Sequence, residues 1–172
     1  SFVFELSKIF KIKITSFTKS LNSFRGLPHR HEVFYTKNNV KFINDSKATT
    51  FEASKLALQC NHNIFWIVGG LPKLGDKFYF KNIKKNIVQA YIIGKKISFF
   101  KMRLKGKIKF QINNNLKKAL ISILTKLKTK KKNFPSTVLL SPASASFDQY
   151  KNFNERGNHF KRLVKFYAPK YL

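Results

Sequence analysis

The sequence predicts an α/β fold in which a largely parallel sheet is flanked by helices and begins with a β-hairpin. Two observations support this fold class. Short, continuous apolar runs alternate with segments of helical periodicity, as is typical of strands buried on both faces between helices. An earlier segment of alternating residues is interrupted by an Asn-Asn pair, which is typical of a tight hairpin. With 172 residues, 43% of them hydrophobic, the chain can bury one sizeable core.

The hairpin is the first predicted element of the sheet. HEVFYTK (31–37) and VKFIND (40–45) lie on either side of Asn38-Asn39, and Asn tolerates the positive φ that a two-residue turn requires. The later apolar runs predict three buried strands: IFWIV (64–68), AYII (90–93) and TVLL (137–140).

Three helices are predicted from apolar residues that recur at helical spacing. Cys60 falls on the first of these stripes, so we expect it to be buried, and as the only cysteine it cannot form an intrachain disulfide. The stripes are Ala53, Leu56, Ala57 and Cys60; Leu116, Ala119, Leu120, Ile123, Leu124 and Leu127; and Phe160, Leu163, Val164 and Tyr167.

The chain is strongly basic, with 35 Lys and Arg against 7 Asp and Glu and a formal charge of +28. Such a charge suggests nucleic acid as a partner, and a small nucleic-acid-binding protein is one hypothesis. The lysines, however, are spread from Lys8 to Lys170, as AT-rich codon usage would produce. The one dense run, KLKTKKK (126–132), lies between a helix and a strand and indicates a solvated connection. We therefore expect no nucleic-acid partner.

The sequence gives no indication of membrane insertion. Its apolar runs are shorter than the roughly 18 residues that span a bilayer, and its first residues lack the pattern of a signal peptide. A cytoplasmic location is expected. The first residues, SFVFELSKIF (1–10), have no initial methionine and already follow a helix-compatible pattern, which is typical of a cut through a longer protein.

Polar loops follow three of the predicted strands. Ligands of open α/β sheets bind outside the carboxyl ends of the strands, so these loops are expected to meet in one crevice. The last loop is expected to open the final helix. The loops are FINDSKATT (42–50), GGLPK (69–73) and SPASASFDQY (141–150).

The composition of these loops suits an anionic ligand. Lys47 and Lys73 supply ammonium groups, and hydroxyls come from Thr49, Ser144 and Ser146. A helix N-terminus adds free backbone N–H groups. Each loop alone also has a purely structural interpretation, because Ser or Thr before a helix is usually an N-cap and Gly-Gly after a strand is usually a turn.

Four blocks of the sequence, in order and spacing, resemble one enzyme family. GLPHR (26–30), FINDSKAT (42–49), GGLPK (69–73) and LLSPASASFDQYKNFNERG (139–157) are similar to the C-terminal part of the UDP-N-acetylmuramoyl-L-alanine:D-glutamate ligases, which are Mur ligases of peptidoglycan synthesis. The resemblance covers most of the chain. It implies a Rossmann-like C-terminal domain that binds the amino acid.

The resemblance also implies a domain organisation. Residues 1–25 would be a helical remnant of the central ATP-binding domain, and residues 26–172 would be the C-terminal domain. No G-x-x-x-x-G-K-[ST] motif is present, so we expect this chain alone to be inactive as a ligase. A catalytically inert fragment and one half of a split enzyme are alternatives that the sequence leaves open.

The family's reaction implies the substrates. ATP with Mg²⁺ phosphorylates the carboxylate of UDP-N-acetylmuramoyl-L-alanine, and the amine of D-glutamate attacks the acyl phosphate to form an amide. By resemblance, Thr49 and Lys73 would bind one carboxylate of D-glutamate. Ser146, with the backbone N–H groups of Phe147 and Phe153, would bind the other.

The same resemblance places three residues on the nucleotide side. Asp45 would bind the ribose hydroxyls, Arg30 the phosphates, and Lys47 would also face ATP. His29 and His31 flank Arg30, but without nearby cysteines or several carboxylates they do not indicate a metal site, and His29 is expected to be a positioning residue. No catalytic residue and no metal ligand are assigned within this chain.

Overall fold

The computed structural model describes residues 2–24, 26–129 and 134–172. These residues contain one six-stranded sheet, whose strands lie in the order β1-β2-β6-β3-β4-β5. β1 is antiparallel to β2, and every other pair of neighbours is parallel. The predicted α/β fold class is confirmed. The strands are β1 Glu32–Lys37, β2 Val40–Asn44, β3 Ile64–Gly69, β4 Ile87–Ile93, β5 Phe110–Asn114 and β6 Ser136–Leu140.

The described residues also form six α-helices and a short 3-10 helix, Lys84–Asn86. Two of the helices precede the sheet, and the others connect or follow its strands. The helices are α1 Phe2–Ile9, α2 Ile14–Ser23, α3 Phe51–Gln59, α4 Ile97–Leu104, α5 Leu116–Lys128 and α6 Phe153–Tyr171.

The hairpin of β1 and β2 forms as predicted. Asn38 has a φ of 48° and Asn39 a φ of 61°. Both residues are therefore in the left-handed region that a two-residue hairpin turn requires. Lys37 pairs directly with Val40 across the turn.

The core lies on both faces of the sheet. Consecutive residues of β2 point in opposite directions: Phe42 packs in the cluster beneath α5 and α6, whereas Ile43 packs in the cluster beneath α3 and α4. All six residues of β3 are buried. This double burial explains why the three central strands read as continuous apolar runs in the sequence.

The stripe predicted for α5 is confirmed, since all six of its residues are buried. The helix extends to Lys128, so the run KLKTKKK begins inside α5 and residues 130–132 lie outside the described residues. The sequence analysis did not predict β5 or α4. β5 is an edge strand whose sequence, FQINN, has only one buried residue, and α4 buries only Phe100 and Leu104.

The predicted buried face of α3 is wrong except at Ala57, which is buried. Leu56 is 67% exposed and Cys60 is exposed. Phe51, the first residue of the helix, stacks on Phe78 with ring centroids 4.3 Å apart, and this aromatic contact sets the face that turns inward. The buried residues of α3 are Phe51, Ser54, Ala57 and Leu58.

The helices α1 and α2 differ from the rest of the chain. Among the described residues, neither core cluster includes one from 2–24. Their apolar side chains include Phe2, 77% exposed, and Phe10, 72% exposed. In the described parts of the chain, no helix combines the length and the apolar character needed to cross a membrane.

Candidate functional site

The three polar loops lie at the same edge of the sheet. They follow β2, β3 and β6, which are adjacent and parallel. The chain leaves β2 toward α3 on one face and leaves β6 toward α6 on the other face. Neighbouring strands whose connections diverge in this way open a crevice between their loops, which is the usual ligand position in such sheets.

Backbone hydrogen bonds join the loop after β3 to the loop after β6. Leu71 and Ala145 exchange two N–H···O bonds, each of 2.9 Å. The N–H of Gly69 also donates to the carbonyl of Pro142 at 2.9 Å. GGLPK and SPASASFDQY are therefore held together as one unit.

Gly70 makes this close approach possible. Its φ is +138°, which L side chains rarely adopt. A Cβ at this position would lie 2.3 Å from the carbonyl oxygen of Ala145 and 2.7 Å from Oγ of Ser144. Any other residue would push the two loops apart.

Asp45 joins the loop after β2 to the loop after β6. Its N–H donates to Leu140 at 2.8 Å, and its Oδ2 accepts from the Ser141 hydroxyl at 2.7 Å. Oδ1 accepts from the N–H of His31 at 3.1 Å. Burial raises the pKa of Asp45, although the bonds from Ser141 and His31 act in the opposite direction. The sequence analysis did not assign a role to Ser141.

Arg156, on α6, also joins the loop after β2 to the loop after β6. Its Nε donates to Oγ of Ser46 at 3.0 Å, and its Nη2 donates to the carbonyls of Ser46, at 2.8 Å, and Ser144, at 3.0 Å. The side chain is 1% exposed. Burial lowers the pKa of Arg156 to about 10, so it stays charged at neutral pH. The sequence analysis missed this residue, although Arg156 precedes Phe160 and Val164 at spacings of four on the buried face of α6.

The loop after β3 turns back to the start of α3. Oδ2 of Asp76 accepts from the N–H of Phe51 at 2.8 Å, and the Thr50 hydroxyl accepts from Ala53 at 3.2 Å. The N–H of Asp76 donates to the carbonyl of Lys73 at 3.1 Å. These bonds hold the loop of Lys73 beside the N-terminus of α3, which begins two residues after Thr49. Lys73 itself is exposed and Thr49 is half-buried.

The last loop does not open the final helix directly, which corrects the prediction. α6 begins at Phe153, where Asn152 accepts from the N–H of Glu155 at 2.9 Å as the N-cap. Ser146 lies in an earlier turn, in which its carbonyl accepts from Gln149 and Tyr150.

Of the two predicted contact residues in that turn, only one is exposed. Ser146 is 2% exposed. Phe147 is 68% exposed. Phe153 lies near both the first and the last loop, because its carbonyl accepts from the Ser46 hydroxyl at 2.8 Å.

The residues predicted to face the nucleotide have different surroundings. Arg30 is exposed. The Nζ atom of Lys47 lies 4.0 Å from the ring centroid of Phe153, in a cation–π contact. Asp45 lies beside a pocket of about 170 Å³ on the side of α3, lined also by His31, Ala53, Leu56, Ala57 and Cys60.

His29 is buried and is bonded to the end of β2 and to the loop that follows it. Its Nδ1 accepts from the Asn44 amide at 2.8 Å, and its carbonyl accepts from the N–H of Lys47 at 3.0 Å. Burial lowers its pKa, which favours the neutral ring. A Cβ on Gly157 would lie 2.2 Å from Nδ1, so α6 can pass His29 only with glycine there.

Glu32 anchors this group to α6. It accepts from the N–H of His29 at 3.0 Å and from Lys161 at 2.8 Å. Burial by itself would raise the pKa of Glu32, but these two partners together lower it. Within the described residues, no group of three or more His, Cys, Asp or Glu side chains could hold a metal ion.

Several relatives of this chain share one description. The chain is 39% identical over 159 residues to the UDP-N-acetylmuramoylalanine–D-glutamate ligase of Wolbachia sp. subsp. Brugia malayi, an alignment that covers 92% of this chain and 31% of the relative. It is 42% identical over 140 residues to the enzyme of the same description from Rhizobium meliloti, covering 81% of this chain and 30% of the relative. The chain is homologous to the C-terminal region of these ligases.

A third relative of the same description, from Prochlorococcus marinus, is 40% identical over 160 residues, covering 89% of this chain and 33% of the relative. The chain thus spans about a third of the length of the curated relatives it matches. No family model matches the sequence. The resemblance noted in the four sequence blocks is confirmed, and the nucleic-acid-binding alternative is not favoured.

Proposed function

We propose that this chain supplies the D-glutamate-binding part of an ATP-dependent ligase that acts on UDP-N-acetylmuramoyl-L-alanine in peptidoglycan synthesis. The observation that carries the proposal is the junction of three polar loops at one sheet edge, each of them a block that resembles the ligases. The names of the relatives support the same reaction. This function is consistent with the cytoplasmic location expected from the sequence.

D-Glutamate would be bound by both its carboxylates. Lys73 is exposed and lies on a loop that is bonded to the start of α3, beside Thr49. An ammonium and a hydroxyl there suit one carboxylate. The N–H groups of Phe147 and Phe153, with the Ser146 hydroxyl, would bind the second carboxylate near the start of α6.

The nucleotide would bind on the other side of the loop after β2. Asp45 already accepts two hydrogen bonds, yet a carboxylate has further lone pairs, and it borders the pocket beside α3. In this proposal Asp45 binds the ribose, while Arg30 and Lys47 meet the phosphates after Lys47 leaves the ring of Phe153. Mg²⁺ would accompany ATP, with most of its ligands in the central domain.

The proposal includes the domain assignment. Residues 1–25 would belong to the end of the central ATP-binding domain, and residues 26–172 would form the amino-acid-binding domain. The separation of α1 and α2 from both core clusters supports this boundary. Without a P-loop, the chain would bind D-glutamate but would not catalyse ligation by itself. An inert fragment or half of a split enzyme is the competing explanation.

Binding of D-glutamate to the chain itself tests the proposal. We expect D-glutamate to shift the amide resonances of Thr49, Lys73 and Phe153 in a titration followed by NMR. L-Glutamate is the control and should shift them much less, because several fixed contacts distinguish the enantiomers. Absence of any response to D-glutamate at these loops would favour the inert fragment.

An activity assay tests the inactivity of the chain. The purified chain, supplied with ATP, Mg²⁺, UDP-N-acetylmuramoyl-L-alanine and D-glutamate, should release no phosphate. A chimera that carries residues 26–172 in place of the matching region of the Rhizobium meliloti relative should release phosphate only when D-glutamate is present. D-Glutamate-dependent turnover by the chain alone would contradict the proposal.

A further inference from the structure

Arg156 is a buried cation without a carboxylate partner. Among the described residues, its guanidinium forms no salt bridge, and its Nη1 atom has no hydrogen-bond partner. Burying a charge is costly unless other groups compensate it. The hydrogen bonds to Ser46 and Ser144 satisfy the other donors but supply no negative charge.

The position of Arg156 relates this charge to the proposed glutamate site. Its Nη1 would lie 3.4 Å from a Cβ on Gly70, and the same guanidinium bonds the carbonyl of Ser144, two residues before Ser146. It also bonds Ser46, whose hydroxyl reaches the carbonyl of Phe153. One side chain thus bonds two loops of the junction and lies close to Gly70 of the third.

The acidic residue whose charge acts on Arg156 is bonded to another partner. Asp148 influences the pKa of Arg156 through its charge, but Oδ2 of Asp148 accepts the N–H of Lys95 at 2.8 Å. A Cβ on Gly94 would lie 2.5 Å from this same oxygen, so the loop after β4 confines it. Asp148 therefore does not neutralise the guanidinium by direct contact.

We propose that Arg156 is a positioning residue for the anionic amino acid: it fixes the spacing of the three loops, and its uncompensated charge favours a carboxylate above them. The proposal rests on the proposed function for the identity of the ligand. Its positioning part does not, because the hydrogen bonds to Ser46 and Ser144 exist without a ligand. A lysine or arginine exposed at the edge of the site, in contrast, would not bond two loops to each other.

Two substitutions separate the positive charge of Arg156 from the set of hydrogen-bond donors on its guanidinium. Arg156→Met removes both, whereas Arg156→Lys keeps the charge but replaces the two donor nitrogens, Nε and Nη2, with one ammonium. Arg162→Met is the control, since Arg162 is exposed on the same helix. Circular dichroism establishes that each variant is folded. If Arg156→Met does not fold, Arg156→Lys carries the test.

Hydrogen exchange in the absence of ligand tests the positioning. We expect the amides of Leu71 and Ala145, which join two of the loops, to exchange about tenfold faster in Arg156→Met and in Arg156→Lys than in the unmodified chain. Arg162→Met should leave their rates unchanged. Unchanged rates in both Arg156 variants would overturn the positioning role, whether or not the chain binds D-glutamate.

Titration with D-glutamate tests the role of the charge. We expect the dissociation constant to rise about tenfold or more in Arg156→Met and by a smaller factor in Arg156→Lys, with no change in Arg162→Met. Equal affinities in Arg156→Met and the unmodified chain would overturn the charge effect. If the unmodified chain does not bind D-glutamate, the proposed function and the charge effect both fail, while the exchange result still decides the positioning role.

Discussion

The polar residues at the carboxyl edge of the sheet form two groups that differ in burial. The inner group consists of Asp45, Ser46, Ser141, Ser144 and Arg156, which are buried and bonded to one another's loops. The outer group consists of Lys73, Thr49, Arg30 and Phe147, which are exposed or half-buried. Buried polar groups need partners inside the protein, whereas exposed ones stay available to a ligand. The inner group should therefore determine the structure of the loops, and the outer group should determine the affinity for the proposed ligand, D-glutamate.

The largest expected effect is on the inner group, from Gly70→Ala. The Cβ would collide with Ala145 and Ser144 in a strained backbone conformation, so we expect a loss of about 2 kcal/mol or more in the free energy of unfolding. Urea denaturation measures this loss. The control is Gly75→Ala in the following turn, where a Cβ meets nothing within 4 Å, and where only the positive φ should cost about 1 kcal/mol. Equal losses would show that the loops can separate freely.

The next effect concerns the outer group. Lys73→Ala should weaken D-glutamate binding by about one to two orders of magnitude, the worth of one charge-assisted hydrogen bond, and should leave unfolding nearly unchanged. Titration calorimetry and thermal unfolding measure the two quantities. Lys77→Ala, another exposed lysine of the same loop, is the control. In the chimeric ligase, Lys73→Ala should raise the Michaelis constant for D-glutamate. If it raises the constant for ATP and leaves that for D-glutamate unchanged, the roles given to Lys73 and Lys47 are reversed.

The smallest effect is the pH dependence of stability that His29 and Glu32, two residues packed next to α6, should cause. The pKa of His29 is lowered from its ordinary value of 6.5 by burial, so the folded state prefers the neutral ring. Its contribution to stability is complete above pH 6.5 and is lost as the pH falls through its lowered value. The pKa of Glu32 is also lowered, so its contribution to stability is complete above its ordinary value of 4.5 and is lost as the pH falls through its lowered value.

Unfolding free energies measured between pH 7.5 and pH 5 in steps should show this decrease. The slope should diminish in His29→Gln, whereas His62→Gln, at an exposed histidine, is the control. If the slope is the same in all three proteins, His29 is not the group that titrates.

Much of the fold could be predicted because its signals are local. The buried strands appear as continuous apolar runs, and the Asn38-Asn39 turn as a pair of residues that tolerate positive φ. α5 presents one continuous apolar stripe, and all residues of that stripe are buried. β5 escaped prediction because an edge strand with one buried residue carries no such pattern.

The junction of the three loops was predictable in its location but not in its interior. The order of strands and polar loops indicates the sheet edge, and the outer residues Lys73 and Thr49 follow from the type of side chain. The bonds that Ser141 and Arg156 make connect residues 96 and 110 positions apart. Nothing within either segment specifies such a partner, because the contact exists only once the strands are side by side.

The sequence by itself determined the α/β class, the hairpin, the central strands and the edge of the sheet that carries the polar loops, since each depends on residues close together in the chain. Only the tertiary structure decided which face of α3 is buried. There the stacking of Phe51 on Phe78 turned Leu56 and Cys60 outward. It also decided that Arg156 lies buried between the loops, because a helix can bury a guanidinium only where other segments bring carbonyls to it.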